Sequence, residues 1–209
     1  MKPKPNTQIV NQSELFGLVL SGGASSRMRE DKGIIDYHGV PQREYLYQLL
    51  KEVCDDVFLS ARESQLPTIP HGFNTIVDQN KFKGPFNGIL SAHVVHKNMA
   101  WLVLACDLPF MDSDALLQLI EQRNPKKCAT AFANPKTGDP EPLACIYEPD
   151  GLEKALEFLN DSNYPSPKKF LMNIDISLIH PKDELVLFNA NSPSDYDFVK
   201  KKLAEQESG

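Results

Sequence analysis

Leu18-Val19-Leu20-Ser21-Gly22-Gly23-Ala24-Ser25-Ser26-Arg27-Met28-Arg29-Glu30-Asp31-Lys32 is the stretch around which the chain is organised. The apolar run Phe16 to Leu20 predicts a buried strand, and it stops at two glycines followed by three small residues. With no Cβ in the way, such a turn can present its backbone N–H groups to an anion. Arg27 and Lys32, held on either side of the turn, would neutralise phosphate oxygens. The loop matches neither G-x-x-x-x-G-K-[ST] nor G-x-G-x-x-G, since Lys32 follows Asp31 and precedes Gly33. The glycines alone are equally compatible with an ordinary turn after a first strand. The two cations in the same loop favour a nucleotide site.

Outward from this loop, apolar runs alternate with longer helical patterns. Phe16–Leu20, Val57–Ala61, Thr75–Val77, Trp101–Ala105, Ala129–Ala133 and Leu143–Tyr147 read as strands. Arg43–Val53, Asn87–His96 and Asp112–Arg123 carry apolar residues at helical spacing. Strands that are apolar throughout, separated by helices, imply a Rossmann-like α/β fold: a mostly parallel central sheet with helices on both faces. In such sheets ligands sit beyond the carboxyl ends of the strands. The glycine-rich loop and Asp107, which ends the strongest apolar strand, are therefore expected to face one cleft. Past Tyr147 the pattern predicts a helix over Gly151–Leu159, an exposed loop over Asn160–Lys169, and strands at Ile174–Ile179 and Glu184–Phe188. Ser192 should start a last helix, with Pro193 at its first position. Residues 1–14 read as a loose N-terminal tail and 15–209 as a single domain.

The composition narrows the function. Of 209 residues 41% are hydrophobic, enough for one sizeable core. A net charge of −6 argues against a nucleic-acid partner or an anionic membrane surface. No apolar run reaches membrane-spanning length, and the polar first residues are not a signal peptide. The four cysteines form no C-x-x-C pair and lie mostly in apolar runs, which suits buried, reduced thiols and a cytoplasmic location. His93 and His96 read as a solvated helical pair.

Two aspartates end predicted strands. Asp107, in Ala105-Cys106-Asp107-Leu108-Pro109, is either a turn or cap residue or a ligand for Mg²⁺, which is held by one or two carboxylates plus substrate phosphates. Asp78, in Ile76-Val77-Asp78, precedes Gly84-Pro85-Phe86-Asn87-Gly88 and has a turn residue as its bland reading. No nucleophile–base arrangement is visible. An acceptor that is itself a phosphate monoester would need none, because it is ionised at neutral pH. Catalysis then reduces to positioning and charge neutralisation by Arg27, Lys32 and Mg²⁺ on Asp107.

Leu20 through Lys32 resembles L-[AS]-G-G-x-S-x-R-M-x-x-D-K of the molybdenum cofactor guanylyltransferase family, whose members usually have Ala at Ser21 and Gly at Arg29. Three further segments occur in the family's order: the strand-end Cys106-Asp107-Leu108-Pro109, Asp139-Pro140-Glu141-Pro142-Leu143-Ala144, and Phe188-Asn189-Ala190-Asn191-Ser192-Pro193-Ser194-Asp195. The resemblance implies a nucleotide-diphospho-sugar transferase type of fold. It places Leu20, Ser21, Gly22, Gly23, Lys32, Ser60, Asp78, Gly84 and Asp107 at the nucleotide. Ser60 stands where the family commonly has asparagine. Asp107 would hold the metal, and Pro142, Asn189 and Asn191 would line the acceptor side, although the two asparagines read equally well as turn and cap residues. GTP would be the donor and molybdenum-bound molybdopterin the acceptor, with transient contact to proteins that deliver the cofactor. The alternatives are CTP on molybdopterin, a triphosphate on a sugar phosphate, and, more remotely, a non-catalytic nucleotide-binding protein.

Overall fold

The computed structural model describes residues 13–21, 32–161 and 166–207. Seven strands form one sheet: β1 (Leu15–Leu20), β2 (Asp56–Ala61), β3 (Thr75–Val77), β4 (Ala100–Ala105), β5 (Ala129–Ala133), β6 (Pro140–Tyr147) and β7 (Ile176–Ile179). Their order is β3-β2-β1-β4-β6-β5-β7. All point the same way except β6, which runs against both β4 and β5. The six strands expected before residue 150 are all present, with ends shifted by at most three residues.

Every residue of β4 is buried, which requires cover on both faces of the sheet. Alternate side chains supply two cores. Leu102 and Leu104 join Val19, Leu59 and Ile146 on one face, under α1 (Gln42–Lys51) and α3 (Ser113–Glu121). Trp101 and Val103 join Leu18, Cys145 and Tyr147 on the other, under α2 (Phe86–Val95), α4 (Pro149–Asp161) and α5 (Pro167–Leu171). A third, smaller cluster holds Ile35, Tyr37, Phe110 and Ala190 against Val199 of α6 (Pro193–Glu207). Its members flank Lys32, Asp107, Asn189 and Asn191, so it draws together three stretches far apart in sequence.

Several local expectations are corrected. Glu184–Leu187 is a 3-10 turn rather than a strand, because the Asp183 carboxylate accepts from the Leu185 N–H at 2.8 Å and caps a tight turn. Within the expected exposed loop Asn160–Lys169, Pro167 opens α5, and α5 buries Phe170 and Leu171. His93 is not solvated: it is fully buried, with Nε2 3.1 Å from Glu153 Oε1 on α4. His96 packs edge-on against Phe16, with ring centres 5.4 Å apart. Ser13 and Glu14, assigned to the tail, are tied to the body. Ser13 O and Oγ accept from Arg123, and Glu14 O accepts from the Ala100 N–H. The last helix begins at Pro193 as expected, where Asp195 Oδ2 accepts from the Ser192 N–H at 2.8 Å.

Candidate functional site

β1, β2, β3 and β4 all end at one sheet edge, and most of the singled-out residues meet there in two groups. The first lies across the ends of β1, β2 and β3. The Ser21 hydroxyl donates to Ser60 O at 2.6 Å, and the Ser60 hydroxyl donates to Asp78 Oδ1 at 2.6 Å. Gln65 donates its amide to Ser21 O at 3.1 Å. Ser21 and Ser60 are each only 1% exposed and Asp78 8%, so this is a closed network rather than a set of surface hydroxyls. Leu20 is half-buried beside it. α2 approaches closely: a Cβ on Gly88 would stand 2.2 Å from Ser60 Oγ, so any other residue there must displace that hydroxyl. Gly84, exposed at φ +60°, makes the turn that opens α2 and accepts from the Asn87 N–H at 3.0 Å.

The second group sits at the end of β4. Lys32 Nζ lies 3.3 Å from Asp107 Oδ2 and 2.5 Å from Asn191 Oδ1. The backbone joins them as well, since Asp107 O accepts from the Ala190 N–H at 2.9 Å. Asn189 lies in the same turn and donates its amide to Leu187 O at 3.3 Å. Asn191, expected on the acceptor side, is thus tied directly to the Lys32–Asp107 pair. Asp107 Oδ1 is buried and has no hydrogen-bond partner among the described residues. A carboxylate oxygen left so is costly unless something cationic meets it. That fits Mg²⁺, a cation that takes few protein ligands and completes its shell with water and phosphate oxygens. Among the described residues no cluster of three or more His, Cys, Asp or Glu side chains gathers to hold a metal.

Pro142 reaches the site because β6 is antiparallel. The pairing of Leu104 with Ala144 brings the amino end of β6, rather than its carboxyl end, alongside Asp107. Pro142 O accepts from the Tyr147 hydroxyl at 3.0 Å. The same topology delivers Glu141, which sequence reasoning quoted without a role. Burial pushes the Glu141 carboxyl above its usual range, and the Asp107 charge adds to that push. Only the direction of β6 could have revealed it. Tyr37, also overlooked, is pushed up to about 12, chiefly by burial, with Tyr196 and Asp107 contributing. Gly22, Gly23 and Arg27 lie outside the described residues.

Ser60, at the end of β2, and Asp107, past the end of β4, are separated by one strand, β1, whose Leu20 pairs with Ser60 on one side and Ala105 on the other. Two strand spacings make that separation about 10 Å, the scale of a nucleotide laid across the edge.

Comparison with known proteins identifies the family. Residues 17–174 match the family described as MobA-like NTP transferase domain. A Synechocystis molybdenum cofactor biosynthesis bifunctional protein is 40% identical over 90% of this chain, which spans 54% of that protein's length. A molybdenum cofactor guanylyltransferase of Ectopseudomonas mendocina is 30% identical over 84% of this chain and 87% of its own. In fold, the chain resembles molybdopterin-guanine dinucleotide biosynthesis protein A from Archaeoglobus fulgidus, with a TM-score of 0.75 and 18% identity over 91% and 99% of the two chains. The matched residues run from β1 to the approach to β7 and include Ser21, Lys32, Ser60, Asp78 and Asp107, whereas Asn189 and Asn191 lie past their end. The chain belongs to the MobA-like NTP transferase family.

Proposed function

We propose that the chain transfers GMP from GTP to the phosphate of molybdenum-bound molybdopterin, releasing pyrophosphate and forming the guanine dinucleotide cofactor. The observation that carries this reading is the meeting of Lys32 and Asp107 beyond β4, with Asp107 Oδ1 buried and unpartnered among the described residues. The guanylyltransferase relatives support the choice of donor and acceptor. Cys54, Cys106, Cys128 and Cys145 are thiols rather than disulfides, which suits work in the cytoplasm.

In this reading the nucleoside lies over the Ser21–Ser60–Asp78 network and the triphosphate runs towards Lys32. Asp107 holds the bound Mg²⁺, which supplies charge neutralisation to the phosphate oxygens. The acceptor phosphate oxygen attacks the α-phosphorus in line. A new P–O bond forms as the bond to the β-phosphate oxygen breaks, and pyrophosphate leaves with the electron pair. No proton has to be removed from an ionised phosphate, so the site needs cations and alignment rather than a base. Lys32, steadied by Asn191, neutralises charge on the triphosphate. Arg27 does the same from the glycine-rich loop.

The test is pyrophosphate release from GTP, ATP and CTP with the molybdopterin acceptor, with and without Mg²⁺. GTP should be preferred by at least about tenfold, because a buried hydrogen-bonding group left unpaired by the wrong base costs about 1–3 kcal/mol. Asp107→Ala should abolish release without lowering the melting temperature. Tighter binding of CTP than GTP would overturn the guanylyl assignment. Near-normal turnover of Asp107→Ala at saturating Mg²⁺ would overturn the metal assignment.

A further inference from the structure

Gln42, the first residue of α1, is fully buried beneath the site. Its backbone N–H donates to Ile35 O at 2.8 Å, at the end of the turn that begins with Lys32. Its side-chain Nε2 donates to Leu108 O at 3.2 Å, one residue past Asp107. One residue therefore spans the two segments that carry the Lys32–Asp107 pair. Two neighbours extend the grip along the same loop. His38 Nε2 is 2.8 Å from Pro109 O, which can only accept, so that nitrogen carries the proton. The Tyr45 hydroxyl donates to Met111 O at 3.1 Å, and its ring stacks on His38 at 3.7 Å. The carbonyls of Leu108, Pro109 and Met111, shortly after Asp107, are thus held from the α1 side.

The other half of the Gln42 amide argues that this brace is not there for stability. Gln42 Oε1 is buried and has no partner among the described residues. A half-satisfied buried amide is a poorer core residue than an apolar side chain of the same length. Its remaining value lies in where it holds the Leu108 carbonyl.

We propose that Gln42, assisted by His38 and Tyr45, is a positioning residue that sets the placement of Asp107 relative to Lys32 for the transfer step. It touches neither substrate nor metal and acts through the backbone on either side of them. The inference rests on the proposed nucleotidyl transfer.

The variant is Gln42→Met, which keeps the chain length and removes the amide. It should melt at or above the wild-type temperature. Its kcat should fall by about tenfold or more while KM for GTP changes by less than about twofold, the pattern of an interaction that matters only in the transition state. Mn²⁺ affinity in the presence of GTP, read by electron paramagnetic resonance as a stand-in for Mg²⁺, should weaken. Tyr45→Phe, which removes only the grip on Met111 O, should move kcat and Mn²⁺ affinity the same way by less, and it carries the test alone if Gln42→Met does not fold. Wild-type kcat and Mn²⁺ affinity in the variants overturn the brace. A wild-type protein with no metal-dependent transfer overturns instead the reading on which it rests.

Discussion

Gly88→Ala is a sharp probe of how the Ser60–Asp78 end of the sheet is built. The new Cβ would meet Ser60 Oγ at 2.2 Å and Leu20 Cδ2 at 2.7 Å, with Ser60 Cβ at 3.2 Å. Leu20 can yield at the tip of a flexible side chain. α2 cannot back away freely, because Ile89 and Leu90 are fully buried in the core beneath it. The cheapest relief is rotation of Ser60, which breaks its 2.6 Å bond to Asp78. Overpacking costs about 1–3 kcal/mol, and loss of a hydrogen bond to a charged group about 1.5–3 kcal/mol. Alanine in a helix returns about 1 kcal/mol, leaving a net cost of about 1.5–5 kcal/mol. For a chain of this size that lowers the melting temperature by roughly 3–20 °C. Because the damage passes through one hydroxyl, Gly88→Ala and Ser60→Ala should not be additive. The double variant should melt at or above Ser60→Ala alone, while its GTP affinity stays as low, since Asp78 has lost its partner in both. Thermal denaturation and calorimetric GTP titration of the four proteins close the cycle. Fully additive costs would refute the reasoning.

Other tests probe separate parts of the molecule. Lys32→Ala removes contacts to both Asp107 and Asn191 and should weaken GTP binding by about 1.5–3 kcal/mol; equal, small effects on GTP and GDP would show that Lys32 does not read the terminal phosphate. Arg123 and Glu148 form a two-pronged pair at 2.7 and 2.9 Å, each side chain 3% exposed. Arg123→Met should cost about 3–5 kcal/mol, most of it recovered by adding Glu148→Leu, as judged by denaturant titration. Burial lowers the His93 pKa, outweighing the pull of Glu153. A depressed pKa means the stability it contributes is present above the unfolded-state value near 6.5 and is lost as pH falls below it. Melting temperature followed from pH 7.5 to pH 5 should therefore drop less in His93→Gln than in the wild type, and equal slopes would count against the assignment.

Much of this molecule is legible before folding because its signals are local. A strand buried on both faces must be apolar at every position, and Ala100–Ala105 is. Helical spacing marked α1, α2 and α3, and Asp107 and Asp78 were conspicuous as charges ending apolar runs. Local signals also misled. Glu184–Phe188 has a strand's composition, but a capping carboxylate beside it turns the backbone into a 3-10 turn. His93 has a surface residue's composition, but α4 covers it.

Residue types and their spacing settle the set of chemical groups, the alternation of strands and helices, and hence the sheet edge at which a phosphate-binding site would stand. Which groups meet was decided by tertiary structure, because partners far apart in sequence leave no periodic trace. Asn191 reaches Lys32 across 159 positions, held by the small core of Ile35, Tyr37, Phe110, Ala190 and Val199. Glu141 and Pro142 come to Asp107 only because β6 runs backwards. Ser60 turns its hydroxyl to Asp78 under a helix whose Gly88 lets it approach without displacing that hydroxyl. Gln42 looks like one more polar residue at the start of a helix until the fold buries it between Ile35 and Leu108. Directions of strands and close approaches of helices depend on how the whole core packs, and no local stretch of residues encodes them alone.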